Sequence, residues 1–517
     1  MRPFLHTRNR SRARALTRTQ LCAAALMAVP LAAQAAAPTC ANVLAVLAGQ
    51  LADATCVVST DLTTTNPATT PANNSNSTLP SGAFTPTTDR SVIAPSAAKR
   101  TPVSKVVPGL QINARIAGDP TGQARFLLRL PNDWNGRLVV AGASGTRSEF
   151  NGDYSWSDHV LQQGFAYASQ NKGVLNLRIA SLASATPPNP LACRLNPASQ
   201  VWVNFYDNEA DQAFTRWRDY MVESARLARI GVRAGYGEHP RRTYAVGTSN
   251  GGYQVRRAVE TAPELFDGGV DWEGTYVDAN DPTILSDLPP AILNYPDYLS
   301  SGRNPNSVAA KNILAAGYPP DIVASPTSSL WSSYWAQFWE VTACQWQKRL
   351  DRNYDTYGAG LGAYNFVARK AASDVSAQLS AFATTGYIRR PLVTVAGTMD
   401  ALLPIDHHAR AYARAVAAAG KAREPGKDSK RDRGEDEDDK RPAYRLYEVQ
   451  NGNHIETFQD LFPQLELIER HAQRAFDLLV QHVEQRQPLP ASQCVLRGGS
   501  ISASPAQPGH CAQLFVP

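Results

Sequence analysis

Tyr244-Ala245-Val246-Gly247-Thr248-Ser249-Asn250-Gly251-Gly252 is a short apolar run that ends in Gly-x-Ser-x-Gly, and a helical pattern begins directly after it. Run, turn and helix together read as a nucleophile elbow, in which a sharp strand-to-helix turn holds a serine in a strained conformation and projects its hydroxyl into a cleft. Gly247 and Gly251 suit that turn because the crowded backbones leave no room for side chains. The backbone N–H of Asn250, the residue after the serine, points where a tetrahedral intermediate carries negative charge. A five-residue pattern can also be a plain glycine-rich turn with an exposed serine, so the rest of the chain has to decide.

Outward from the elbow, strands alternate with helices, which implies a mostly parallel sheet covered on both faces. Upstream, Leu110 to Ile116 alternates with period two, Ala124 to Leu130 follows as a second strand, and Leu130 to Gly136 is a turn. Arg137 to Ala141 is a buried strand that runs into Gly142-Ala143-Ser144-Gly145. A loop of small residues after such a strand leaves backbone N–H groups open, so Ala143 or Ser144 is the expected second oxyanion donor. Gly164 to Ser169 reads as a further strand. Asn208 to Ala234 reads as a core-facing helix, with Phe214, Trp217, Tyr220, Met221, Leu227 and Ile230 at helical spacing.

Downstream, Phe266 to Trp272 returns as a strand, and the alternation then breaks between about Ala279 and Tyr387. That segment is expected to be an inserted lid. Its Trp331, Tyr334, Trp335, Phe338 and Trp339 form one broad aromatic face, either the lid's own core or, for Trp331 and Trp335, part of a substrate-binding cleft. Pro391 to Gly397 resumes the sheet and leads to Asp400. Residues 421–441 hold eight basic and eight acidic side chains, including the unbroken run Glu435 to Asp439, and read as a solvated loop. Tyr444 to Val449 is the last strand, Gln450 to His454 is the turn after it, and Phe458 to His482 is an amphipathic helix.

The formal charge of +6 reflects 51 basic against 45 acidic side chains. Six of the basic ones, Arg2, Arg8, Arg10, Arg12, Arg14 and Arg18, lie in the first 36 residues, which hold no acidic residue; the remainder is balanced at 45 against 45. A neutral chain gives no electrostatic basis for a nucleic-acid or anionic-membrane partner. The Arg-rich start, the apolar run Leu21 to Ala33 and Ala33-Gln34-Ala35 read as a secretory leader cleaved near Ala35, and no stretch reads as a membrane span. Export to an oxidising compartment makes disulfides of the six remaining cysteines, which allow fifteen pairings. Proximity favours Cys40 with Cys56 and Cys494 with Cys511, leaving Cys193 with Cys344. No close Cys-x-x-Cys pair suggests a metal. Ser59 to about Ser104 is rich in Thr, Pro, Ser and Asn and is expected to be a loose arm.

The expected organisation is therefore a leader (1–35), an N-terminal arm (36–109), a catalytic body in two pieces (110–278 and 389–485), a lid insertion (279–388) and a C-terminal tail (486–517). In the body, Ser249, Asp400 and His454 occur in the order nucleophile, acid, base, each on a loop after a strand. A serine hydroxyl needs an imidazole to take its proton and a carboxylate to hold that imidazole in the right tautomer. His407 and His408 follow Asp400 too closely to come from another strand end, while His471 and His482 fall on a helix. Asp271 and Asp278 are the alternative acids. Asp271, Glu273 and Asp278 match no calcium-loop spacing.

Leu130-Pro131, Trp134-Asn135-Gly136-Arg137, the Gly142 to Ser148 loop, Ser249-Asn250-Gly251-Gly252, Asp400-Ala401-Leu402-Leu403-Pro404 and Tyr447-Glu448-Val449 running to His454 resemble the 3-hydroxybutyrate-oligomer hydrolases. Trp134 to Arg137, Gly251-Gly252-Tyr253-Gln254 and Phe266-Asp267-Gly268 are similar to the tannase and feruloyl esterase group. The likeness covers roughly residues 110–480 and implies an α/β-hydrolase fold and a serine esterase. Many tannase-like enzymes carry a cysteine just before the serine and another just after the histidine; Thr248 and Ile455 stand there in this chain. The reading is an exported serine ester hydrolase with no cofactor and no metal. Its expected substrates are hydroxyacid oligoesters, with aromatic esters second. A binding protein that has lost turnover, and a peptidase or acyltransferase using the same residues, are the other classes.

Overall fold

A computed structural model describes residues 37–71, 86–91, 93–145, 148–174, 178–181, 192–199, 201–204, 214–351, 364–422 and 442–517. The expected leader and most of the charged loop, residues 423–441, lie outside them. Eleven strands form one sheet: β1 (Leu51–Ser59), β2 (Gly109–Ile116), β3 (Arg125–Pro131), β4 (Arg137–Gly142), β5 (Ala166–Gln170), β6 (Arg242–Thr248), β7 (Gly268–Trp272), β8 (Leu392–Gly397), β9 (Tyr444–Val449), β10 (Gln493–Val495) and β11 (Gln507–Pro508). Their spatial order is β1-β2-β3-β5-β4-β6-β7-β8-β9-β10-β11. From β5 to β10 all neighbours are parallel, and β1, β2, β3 and β11 are antiparallel at the two margins. This is the mostly parallel sheet that the alternation of strands and helices implied, in the α/β-hydrolase arrangement that the family resemblance implied.

Period-two alternation sends successive strand side chains to opposite faces. Leu138, Val140 and Ala245 pack with helix α2 (Thr215–Tyr236) and helix α3 (Asn250–Thr261). Val139, Ala141, Tyr244 and Val246 pack on the other face with Ala472, Ala475, Phe476 and Leu479. Those four belong to the helix Glu469–Gln485. The long helix expected from Phe458 is thus two pieces, a short 3₁₀ turn at Glu456–Asp460 and this helix. The carboxylate of Glu456 accepts the N–H groups of Ile468 and Glu469, which fixes the start of the second piece.

Two margins extend further than expected. Cys40–Leu47 forms helix α1, whose Val43 and Leu47 enter the core, and β1 pairs with β2 from Leu51 opposite Ile116 to Ser59 opposite Gly109. The described parts of the arm are also fastened. Asp61 accepts from the N–H groups of Thr63 and Val107 at 3.0 and 3.1 Å, and the Thr70 hydroxyl donates to Asp153 at 2.7 Å. A segment poor in large apolar residues is held here by polar side chains that find partners on the body, a route that apolar composition does not register. At the other end, β10 and β11 make the C-terminal tail the edge of the sheet.

The segment expected to be a lid comprises α4 (Ile284–Ser300), α5 (Val308–Ala315), α6 (Leu330–Gln337), α7 (Trp339–Leu350) and two short helices, Phe366–Ala372 and Val375–Ser380. A small three-stranded sheet (Arg178–Ser181, Cys193–Arg194, Val201–Asn204) lies in the excursion between β5 and α2. The disulfide Cys193–Cys344 ties that sheet to α7. Cys40–Cys56 and Cys494–Cys511 complete the pairing expected from proximity. No helix among the described residues is long and apolar enough to cross a membrane.

Candidate active site

Ser249 sits between β6 and α3 with φ 59° and ψ −123°, a region that costs a non-glycine residue strain. The surrounding backbone over-determines it: its N–H donates to the Trp272 carbonyl at 2.9 Å, and its own carbonyl accepts from Tyr253 at 3.1 Å. The glycine spacing follows from contact distances. A Cβ on Gly247 would stand 2.4 Å from the Gly251 carbonyl oxygen, and one on Gly251 would stand 2.5 Å from that of Gly142. The elbow and the end of β4 are therefore locked together by glycines.

His454 and Asp400 meet at the ends of β9 and β8. The His454 Nδ1 lies 2.8 Å from Asp400 Oδ2, and both side chains are buried. The other carboxylate oxygen of Asp400 accepts the N–H groups of Leu402 and Leu403 at 2.8 and 2.7 Å. The two loops approach through another glycine contact, since a Cβ on Gly397 would be 2.3 Å from the Gly452 carbonyl oxygen. Met399 N–H donates to that same oxygen at 2.7 Å. From the tail, Val516 N–H donates to Asn451 Oδ1 at 2.8 Å, bracing the turn that carries His454.

A third acid lies in this cluster. Glu273, just past β7, has its Oε2 3.5 Å from His454 Nδ1. Burial, together with the Asp400 charge, pushes its carboxyl up to about 8 against the pull of His454. Burial by itself would lower the His454 pKa; the charge and hydrogen bond of Asp400, with Glu273 adding to them, outweigh it and raise the ring to about 9. Among the described residues, Glu273, Asp400 and His454 are the group whose ligand atoms, within 4.8 Å of one another, could hold a metal ion. His454 Nδ1 and Asp400 Oδ2 are joined to each other by the 2.8 Å hydrogen bond.

The other acids and histidines are occupied elsewhere. Asp271 is paired with Arg256 at 2.6 Å in the core. His407 and His408 bind Asp287 of α4 at 2.9 and 3.3 Å. His471 lies 3.5 Å from Glu466, and His482 is hydrogen-bonded to the Gln487 carbonyl at 2.8 Å.

Ser249, Asn250 and His454 line a cavity of about 440 Å³ together with Ser144 and Gly145, within the range of small-molecule sites. The expected donors Ala143 and Ser144 need correction as donors to a ligand here. The Ala143 N–H donates to Gln254 Oε1 at 3.0 Å and the Ser144 N–H to Asn151 Oδ1 at 3.0 Å. The Lys172 ammonium, fully buried, donates to the Ser144 carbonyl and holds the loop from its other side. The Asn250 side chain accepts from Thr275 Oγ1 at 3.0 Å, while its N–H belongs to the first turn of α3, where amides have no intrahelical acceptor.

Trp331 and Trp335 are likewise corrected, because neither lines the cavity. One helical turn apart on α6, they face α4: Trp331 meets Tyr298 edge-on at 5.0 Å and Trp335 stacks on Tyr295 at 5.2 Å. The cavity wall is instead Phe338, where the chain breaks between α6 and α7, followed by Val341 and Trp346 of α7. Sequence reasoning also missed Ile93 from the arm, Leu195 just past the strand Cys193–Arg194, and Val203 of the small sheet, which complete the apolar wall. Among them only Phe338 carried a signal, as a member of the expected lid's aromatic run.

Helices α6 and α7 also hold both loops. The Tyr334 hydroxyl donates to Asn453 Oδ1 at 2.8 Å, next to His454, and the Trp339 indole N–H donates to the Ala401 carbonyl at 2.6 Å, next to Asp400. Asn453 in turn donates across His454 to the Ile455 carbonyl at 3.0 Å. At the two positions where tannase-like enzymes carry those cysteines, Thr248 accepts the Trp156 indole N–H at 3.4 Å and Ile455 packs in the same apolar cluster as Tyr334 and Trp339.

Comparison with known proteins gives a match to the family model described as 3HB-oligomer hydrolase over residues 341–512, a stretch that includes Asp400 and His454 and leaves Ser249 outside it. A D-(-)-3-hydroxybutyrate oligomer hydrolase of Burkholderia thailandensis is 30% identical over 126 residues, 23% of this chain and 15% of the relative's own length. Among solved structures, feruloyl esterase B from Aspergillus oryzae aligns with a TM-score of 0.45 at 14% identity, over 84% of this chain and 87% of that one. The tannin acyl hydrolase from Aspergillus niger aligns with a TM-score of 0.43 at 13% identity, over 78% and 87%. The chain thus resembles the 3-hydroxybutyrate-oligomer hydrolases in sequence and has structural neighbours among feruloyl esterase and tannase-type proteins.

Proposed function

We propose that this protein is an exported carboxylic-ester hydrolase that works through an acyl-enzyme on Ser249. The observation that carries the reading is the convergence, on one cavity, of a serine held at φ 59° and a buried imidazole fixed by a carboxylate at 2.8 Å. His454 removes the serine proton as Oγ attacks the ester carbonyl, then returns it to the departing alcohol; in the second half it activates water in the same way. Asp400 holds the Nδ1–H tautomer and stabilises the imidazolium. The Asn250 N–H stabilises the developing oxyanion, and removing one such donor typically costs on the order of a hundredfold or more.

The substrate we favour is a hydroxyacid oligoester such as a 3-hydroxybutyrate oligomer. The family resemblance over residues 341–512 supports it, as does a wall of Ile93, Leu195, Val203, Ile284, Val341 and Leu403, which suits an aliphatic acyl group. A second reading, hydrolysis of an aromatic ester, is favoured by Phe338, Trp346 and Phe458 in the same wall, which could stack on an aryl ring. Product release from 3-hydroxybutyrate oligomers and from a feruloyl or galloyl ester, measured side by side, tests both. Ser249→Ala should abolish turnover by at least about 10⁴-fold. Turnover that survives the substitution would sink the serine mechanism, and absence of turnover on both substrates would sink both substrate classes.

A further inference from the structure

The mechanism just described leaves Glu273 without a role, although the fold goes to some length to hold it. Its φ is 49°, a conformation that persists in a non-glycine residue only when the surroundings enforce it. Here the enforcement comes from its N–H, which donates to the Val395 carbonyl at 2.8 Å. Its Oε1 accepts the Gly397 N–H at 2.9 Å and its Oε2 accepts the Trp272 indole N–H at 3.2 Å. A Cβ on Gly397 would approach Oε1 to 2.8 Å, so the end of β8 is shaped around this side chain.

Because β7 and β8 are adjacent parallel strands, their ends deliver two carboxyl groups to one imidazole nitrogen. Asp400 stands 2.8 Å and Glu273 3.5 Å from His454 Nδ1, on side chains that are at most 2% exposed. Two carboxylates this close in an apolar site do not both stay charged. Asp400 is the better-solvated anion, with two backbone N–H donors on one oxygen and the imidazole on the other. Glu273 therefore keeps the proton. The titratable groups around the pair are His454 itself, Glu456 from the turn beyond it, the hydroxyls of Tyr334 and Tyr318, and His408.

We propose that Glu273 is a second positioning carboxyl for His454, an acid while Asp400 is ionised and a carboxylate that takes over the Nδ1–H when the charge on Asp400 is removed. In that exchange Glu273 gives its proton to solvent and accepts the ring N–H in place of Asp400. The inference rests on His454 being the base assigned above.

The test is a double-mutant cycle on Asp400→Asn and Glu273→Gln, using whichever ester the native protein turns over, with Ser249→Ala as control. Loss of an orienting carboxylate costs about 10⁴-fold where nothing replaces it. Glu273→Gln, which keeps shape and neutrality, supplies the other single leg of the cycle and should cost less than Asp400→Asn. Asp400→Asn should fall by only roughly 10²-fold and the double variant by roughly 10⁴-fold. The acid limb of kcat/KM should lie at higher pH in Asp400→Asn than in the double variant, a shift that a merely structural Glu273 would not produce. Should the double variant fold poorly, the low-field proton resonance of His454 Nδ1–H serves instead, and it should persist in Asp400→Asn. A double variant no slower than Asp400→Asn, or loss of that resonance in the single variant, overturns the role of Glu273. Activity surviving Ser249→Ala overturns the catalytic assignment beneath it, an outcome distinct from the other two.

Discussion

Tyr334→Phe isolates what helix α6 contributes to the proposed catalysis. The substitution removes one oxygen and leaves the ring in place against Phe338, Trp339 and Phe458, whose centroids lie 5.6, 6.3 and 5.4 Å away. What is lost is the 2.8 Å hydrogen bond to Asn453 Oδ1 in a fully buried setting. A buried acceptor left without its donor costs about 1–3 kcal/mol. The same Asn453 side chain bridges to the Ile455 carbonyl at 3.0 Å, so it spans the residue between them, His454, and its loosening is felt by the ring. If the full cost appears in the barrier, kcat drops by roughly 5- to 150-fold, since each 1.36 kcal/mol is a factor of ten. KM should change little, because Tyr334 does not line the cavity. Steady-state kinetics on the ester that the native protein hydrolyses, with a denaturant titration to confirm folding, reads this split. An unchanged kcat, or a rise in KM alone, would refute the idea that helix α6 positions the base.

Two further outcomes follow from the same geometry. On the proposed mechanism the neutral form of His454 is the working base and exists above its pKa, which is raised to about 9, so kcat/KM should rise with pH through neutrality; an acid limb at or below the ordinary imidazole value of about 6.5 would contradict the Asp400 pairing. The Cys193–Cys344 bridge spans 151 residues, for which the chain-entropy relation gives about 5 kcal/mol as an upper figure, and its replacement by two serines should lower the denaturation midpoint and raise KM as Leu195 and Val203 loosen from the cavity; an unchanged midpoint would show that the small sheet is held by packing alone.

The sequence by itself determined what depends on neighbours along the chain. Strand periodicity and the Gly-x-Ser-x-Gly turn are local, since Gly247 and Gly251 are required by contacts within one strand-to-helix junction. That locality is why the strands of the central sheet and the candidate residues Ser249, Asp400 and His454 could be named before any coordinates. Cysteine pairing was legible for a similar reason, as two pairs lie 16 and 17 residues apart and the third is what remains. Only the tertiary structure decided what depends on elements far apart in sequence. Glu273 follows a strand like many others, and nothing near it in the chain says that β7 and β8 are neighbours or that His454 comes to the same point. Ile93 lies in a segment whose composition argues against burial, yet it lines the cavity because its carbonyl accepts the N–H of Glu456 at 3.0 Å. Ala143 and Ser144 sit in the expected loop, but whether an N–H is open depends on where Gln254 and Asn151 point. Trp331 and Phe338 share one aromatic run, and only the break between α6 and α7 turns the first toward α4 and the second toward the cavity. Local sequence fixes backbone conformation through sterics, whereas the chemistry of a site depends on which side chains converge, a property of the packed chain as a whole.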